Sequence, residues 1–105
     1  MPLTGKKILI TGANGGLGRA IAALAHAQGA NLVLCERTPE LAQAAKDALP
    51  EAKNIDCAHA DLRDSEAVAS MVAGAIETMG GLDGVVNNAA MLADDDTTPV
   101  ETPLE

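Results

Sequence analysis

The chain has no phenylalanine, tyrosine or tryptophan in 105 residues. No phenolic hydroxyl is therefore available as an acid or base, and no ring can stack on a substrate. The core has to be built from Ala, Val, Leu, Ile and Met, which bury less area per side chain, so stability toward the low end of the usual range is expected. Positive charge is scarce as well, with 7 Lys and Arg against 15 Asp and Glu and a formal net charge of −8. Without a basic face to displace phosphate counterions, nucleic acid and anionic membranes are poor partners. Any bound anion would have to be held by local backbone amides. No apolar run approaches the ~20 residues of a membrane span. Met1-Pro2-Leu3-Thr4 leads at once into Lys6 and Lys7 rather than into a secretory leader. A cytoplasmic protein is expected, with its two cysteines, Cys35 and Cys57, reduced, buried and inert.

Glycine is what the chain has in concentrated form. Gly12, Gly15, Gly16 and Gly18 fall within Thr11-Gly12-Ala13-Asn14-Gly15-Gly16-Leu17-Gly18, between the apolar run Lys7–Thr11 and the helix-like stretch from Arg19 to Gln28. Strand, glycine turn and helix in that order make a phosphate cradle. One glycine allows the tight turn, one lets the backbone approach a pyrophosphate, and one lets helix pack on strand. A glycine-rich turn with no ligand is the alternative.

The remaining sequence repeats the alternation. Leu17, Ile21, Leu24 and Ala25 form the expected buried stripe of the first helix, which Gly29 ends. Asn31–Cys35 reads as a strand covered on both faces. Thr38 and Pro39 begin a second helix with Leu41, Ala44, Ala45 and Ala48 apolar, stopped by Pro50. Ile55–Ala60 is the weakest strand. Asp64 or Ser65 caps a third helix with Val68, Val72, Ile76 and Met79 on one face, and Gly80-Gly81 close it before a strand at Leu82–Asn87. Such a βαβαβαβ order implies parallel strands joined by right-handed crossovers. The length fits one domain over 1–92, followed by an acidic loop or disordered tail over 93–105 that holds Asp94, Asp95 and Asp96. Three consecutive carboxylates point in different directions, so no metal site is read from them.

Gly5–Gly12, the glycine pattern through Gly18, the pair Asp61-Leu62 and Asn87-Asn88-Ala89-Ala90 together resemble the short-chain dehydrogenase/reductase family over residues 5–92. The glycines satisfy both TGxxxGxG of its classical branch and TGxxGxxG of its extended branch, and Asn87-Asn88-Ala89 favours the classical one. The resemblance implies an α/β fold: a partial Rossmann-type, doubly wound domain with a four-stranded parallel sheet in order 3-2-1-4 and three flanking helices. It implies a nicotinamide dinucleotide held by Gly12, Asn14, Gly15, Gly16, Leu17 and Gly18, with Asp61 and Leu62 beside the adenine and Asn88, Ala89 and Ala90 near the nicotinamide ribose. Ala90 stands where that branch usually has glycine.

An acidic side chain at Glu36, ending the second strand, can accept from both ribose hydroxyls and would repel a 2′-phosphate, which favours NAD. Arg37 leaves NADP open, and the pair could equally be a solvated surface ion pair. Asp61 could instead cap a turn. His26 and His59 have no nearby nucleophile and are read as structural. The family's catalytic Ser, Tyr and Lys have no counterpart: Ser65 and Ser70 fall in the third helix and there is no tyrosine. The chain is thus expected to be inactive alone and to self-associate through the fourth strand or the third helix, because that strand would be left as an edge.

Overall fold

A computed structural model describes residues 2–51 and 53–88. It contains β1 (Lys7–Thr11), α1 (Gly16–Ala27), β2 (Asn31–Glu36), α2 (Pro39–Asp47), β3 (Ile55–His59), α3 (Ser65–Met79) and β4 (Gly84–Asn87). The strands form one parallel sheet in the order β3-β2-β1-β4, with Leu9 of β1 level with Val33 of β2 and Val85 of β4. The expected sheet is therefore present. Ala89, Ala90, the boundary at 92 and the acidic segment lie outside the described residues.

Alternation along β1 and β2 splits the interior into two cores. Ile10, Leu32, Leu34 and Ile55 face α1 and α2 and pack with Ala22, Ala25 and Ala45. Leu9, Val33 and Cys35 face the other way, toward Met71 and Ala75 of α3. The helix ends follow local chemistry. Thr38 Oγ1 accepts from the Leu41 amide at 3.2 Å with Pro39 in the first turn, and the Asp64 carboxylate accepts from Glu66 and Ala67. Gly80 closes α3 at φ 76°, a left-handed conformation that glycine adopts without penalty.

Five sequence expectations need correction. Leu17 and Leu24 of α1 do not face the core: they are 65% and 67% exposed, and the buried positions are Gly18, Ala22 and Ala25, with Ile21 half-buried. The reason is steric, since a Cβ on Gly18 would stand 2.0 Å from the Gly12 carbonyl oxygen. Contact that close requires the smallest residues along the seam and leaves the leucines on a flank. In α3 the buried positions are Met71 and Ala75, with Ile76 exposed. In α2 they are Ala42 and Ala45, with Ala48 exposed. Cys57 is exposed rather than buried, because β3 borders the sheet and its outer residues lack cover. β4 begins at Gly84, two residues later than expected, because Asp83 closes the ladder with both its backbone and its side chain. Its amide donates to the Lys7 carbonyl at 2.7 Å and its carboxylate accepts from the Lys7 amide at 2.9 Å.

Candidate functional site

The carboxyl ends of β1, β2 and β4 meet at the glycine turn, where ligands bind in open α/β sheets. Gly12 leaves β1 at φ 65°, and its carbonyl accepts from the Gly15 amide at 3.2 Å, closing the turn. Ala13 is buried and its amide donates to the Cys35 carbonyl at 3.3 Å, which pins the turn to β2. Gly15 is the N-cap of α1 and offers no side chain, so the first-turn amides of Gly16, Leu17 and Gly18 carry the helix's positive end without a side-chain cap. A Cβ at Gly16 would meet nothing within 4 Å, in contrast with the contact at Gly18. One glycine thus seats the helix against the turn, while the other borders open space.

Glu36 and Asn14 join this turn to the end of β2. The Asn14 amide, expected among the phosphate donors, donates instead to Glu36 Oε2 at 2.8 Å, and the Arg37 amide approaches Glu36 Oε1 at 3.3 Å. The carboxylate is thereby oriented while keeping lone pairs for further donors. On the other side of Asn14, its Oδ1 accepts from Arg19 Nε at 2.9 Å and also from Arg19 Nη2.

A second set of bonds ties β4 to the same turn. Thr11 is 5% exposed; its Oγ1 donates toward Asn87 Oδ1 at 3.1 Å and accepts from the Asn88 amide at 3.1 Å. Asn88 Nδ2 donates to the Gly12 carbonyl at 3.2 Å. The sequence points to Asn88 at the site but not to Thr11, Asn87 or Arg19. The available signal was the hydroxyl residue that ends β1 level with the end of β4, legible only once the two strands are known to pair.

Asp61 lies past the end of β3, exposed, its carboxylate bonded to the amide and guanidinium of Arg63 at 3.0–3.2 Å. Those bonds hold its carboxyl below the ordinary range, with the charge of Arg37 adding from farther away. Leu62 beside it is half-buried. Cys35, beneath the site, has its thiol pushed up to about 11, first by burial and then by the neighbouring Glu36. It is a packing residue at neutral pH. His26 Nε2 stands 3.2 Å from the Lys53 carbonyl, while His59 is exposed on β3, so the two histidines are apart. Among the described residues no group of three His, Cys, Asp or Glu is placed to hold a metal ion, and no helix is long and apolar enough to cross a membrane.

Comparison with known proteins agrees with this architecture. The family model for short chain dehydrogenase matches residues 6–103. The oxidoreductase UcpA of Salmonella typhimurium is 40% identical over 89 residues, covering 85% of this chain and 34% of its own length. Among solved structures, the short-chain dehydrogenase/reductase (glucose/ribitol dehydrogenase) of Brucella melitensis superposes with a TM-score of 0.72 at 40% identity over 79% of this chain and 35% of its own. The 3-ketoacyl-(acyl-carrier-protein) reductase of Brucella melitensis, solved with NADH, gives 0.73 at 30% identity over 82% and 34%. The chain belongs to the short-chain dehydrogenase family and spans about a third of the length of these relatives.

Proposed function

We propose that this member of the short-chain dehydrogenase family is the cofactor-holding portion of a nicotinamide-dependent oxidoreductase. By itself it binds the adenosine side of the dinucleotide without transferring a hydride. The observation that carries the reading is the β1–α1 turn, in which Gly18 admits no Cβ while the uncapped amides of Gly16, Leu17 and Gly18 face space that a Cβ at Gly16 would leave open. Oriented amides at a helix N-terminus suit a pyrophosphate. Glu36, aligned by the Asn14 amide, suits the ribose hydroxyls and supports NAD, with Arg37 as the counterweight for NADP. Asp61 and Leu62 would border the adenine, and Asn88, Ala89 and Ala90 the nicotinamide side. NAD, when bound, supplies the ring that carries the hydride.

The chemical half of the reaction needs an acid or base within hydrogen-bond reach of the reacting oxygen. The chain has no tyrosine, and its two serines, Ser65 and Ser70, are exposed on α3. No turnover is therefore expected from this chain alone, and protein-dependent NADH oxidation with any of a panel of ketones and aldehydes would refute that. Calorimetric titration tests the binding half: NAD binds the native chain, and Gly12→Val, which places a β-branched residue at φ 65°, abolishes it. Unchanged affinity in that variant removes the cradle from the reading.

A second reading, a nucleotide-binding or interaction module that pairs with itself or with a full-length relative, is favoured by the exposed apolar residues Leu17, Leu24, Ile76 and Val85. Among the described residues, β4 pairs only with β1, so its outer edge is free to recruit another copy. The free thiols Cys35 and Cys57 are in keeping with a cytoplasmic setting for either reading.

A further inference from the structure

The glycine turn carries a chemical liability. We propose that Asn14-Gly15 is a site of spontaneous deamidation and isomerisation, latched by Arg19, and that its acid products no longer hold an anion at the turn; that loss rests on the dinucleotide reading. Of Asn14, Asn31, Asn54, Asn87 and Asn88, only Asn14 is followed by glycine. In the reaction the Gly15 nitrogen gives its proton to solvent and attacks Asn14 Cγ. The new C–N bond closes a succinimide ring, the Cγ–Nδ2 bond breaks and ammonia leaves. Water then opens the ring at either carbonyl, giving aspartate or isoaspartate, so that an amide and water become an acid and ammonia. A side chain on the attacking residue obstructs ring closure, and Gly15 has none. Even a Cβ there would meet only the Gly12 carbonyl oxygen, at 3.6 Å. Gly15 and Gly16 are exposed, so water reaches the turn.

The fold ties down both reacting groups. Asn14 Oδ1 accepts from Arg19 Nε at 2.9 Å and from Arg19 Nη2, a charge-assisted hold on the side-chain carbonyl. The Gly15 amide donates to the Gly12 carbonyl at 3.2 Å, which disfavours loss of its proton while the turn is closed. Attack therefore waits for the turn to open, and Arg19, exposed in the first turn of α1, is the group whose release starts it. The products do not fit where the amide did. Isoaspartate inserts a carbon into the main chain between Asn14 Cα and the Gly15 nitrogen. On one side of that point the Ala13 amide is bonded to the Cys35 carbonyl at 3.3 Å. On the other the Arg19 amide is bonded to the Gly15 carbonyl at 2.8 Å, with Gly18 seated against Gly12. Extra length between these fixed points displaces the amides of Gly16 and Leu17. Either acid also puts a carboxylate on the residue whose amide meets Glu36 Oε2 at 2.8 Å, so negative charge gathers where an anion would be held.

The test ages the full chain in warm, mildly alkaline buffer and maps its asparagines by peptide mass spectrometry, with isoaspartate identified by enzymatic methylation. The expected result is that residue 14 becomes an acid before Asn31, Asn54, Asn87 or Asn88, and does so faster in guanidinium than in the folded chain. Arg19→Gln raises the folded rate about fivefold or more and leaves the unfolded rate unchanged, as for loss of a charge-assisted bond that keeps the turn closed. Gly15→Ala, which the φ of −75° accommodates, lowers the unfolded rate about tenfold or more. Ile55→Val loosens the core at the start of β3, the opposite end of the sheet from the turn, and controls for global unfolding. Earlier conversion at another asparagine, an unchanged folded rate in Arg19→Gln, or an equal rise in Ile55→Val overturns the proposal. Aged and unaged chains, separated by the added charge on an anion-exchange column, are then titrated with NAD. Binding weakened about tenfold or more in the aged chain is expected, and equal affinity overturns the loss of the anion site. An unaged chain that binds no NAD removes the dinucleotide reading, while the mass map still decides the modification.

Discussion

β2 and β4 are both parallel partners of β1 and both read as apolar strands, yet their fates differ. Leu32, Val33, Leu34 and Cys35 of β2 are each at most 2% exposed, while no residue of β4 is fully buried and Val85 is 43% exposed. β2 has a strand on each side and helices over both faces; β4 has β1 on one side and, among the described residues, nothing on the other. The large exposed hydrophobic residues besides Val85 are on helices: Leu17 and Leu24 lie on the flank of α1 opposite Arg19 and His26, and Ile76 lies on α3. Burial in this molecule is thus a property of position in the sheet more than of strand composition, and the β4 side is where the chain has surface still to cover.

The sharpest way to break the comparison acts on the sealed side. Gly18→Val puts a branched side chain where even a Cβ stands 2.0 Å from backbone. It should cost about 3 kcal/mol or more in urea denaturation, enough to unfold a marginal domain. Gly16→Ala, in open space, should leave stability unchanged or raise it by up to about 1 kcal/mol through helix propensity. Next, Leu34→Ala should destabilise by about 2–5 kcal/mol through cavity formation, and Leu24→Ala by less than about 0.5 kcal/mol. Equal costs would erase the distinction between the sides.

Self-association sharpens the comparison from the open side. If the β4 edge recruits a second copy, light scattering over a concentration series gives a mass above the 10.6 kDa of one chain, and Val85→Lys returns it to that value. A constant mass of one chain in the native protein rejects the assembly. Thr11→Val asks how much β4 depends on its tie to the glycine turn. It removes the hydroxyl that bonds Asn87 and the Asn88 amide, at an expected cost of about 1–2 kcal/mol, with earlier amide exchange in β4 than in β2.

The smallest effect is one of pH. The Cys35 thiol is raised from 9.0 to about 11 in the fold, so the unfolded chain releases its proton first as pH rises. The stability linked to this group is complete below about 9 and is lost as the pH passes through about 11. Cys35→Ala should flatten that part of the denaturation profile. At neutral pH an alkylating reagent should modify exposed Cys57 well before Cys35.

Much of the fold was legible in the sequence because its signals are local. Gly80 and Gly29 stop helices at positive φ, Thr38-Pro39 and Asp64 start them, and the glycines between β1 and α1 mark the turn that joins them. The failures share one cause. Leu17, Leu24 and Ile76 fit a helical stripe, but which of two adjacent stripes faces inward depends on how near the helix comes to its neighbour, and at α1 the Gly18–Gly12 contact makes that choice. Cys57 looked buried because an alternating strand carries no mark of whether another strand lies beyond it.

By itself, then, the sequence determined the order of elements, the parallel sheet and the glycine turn between β1 and α1, since turn geometry and periodicity depend on neighbours a few residues away. The tertiary structure alone decided that Asn14 gives its amide to Glu36, that Arg19 folds back onto Asn14, and that Thr11 links two strands 76 residues apart. Those bonds depend on strand register and helix placement, which arise only when distant segments bury their apolar faces against one another.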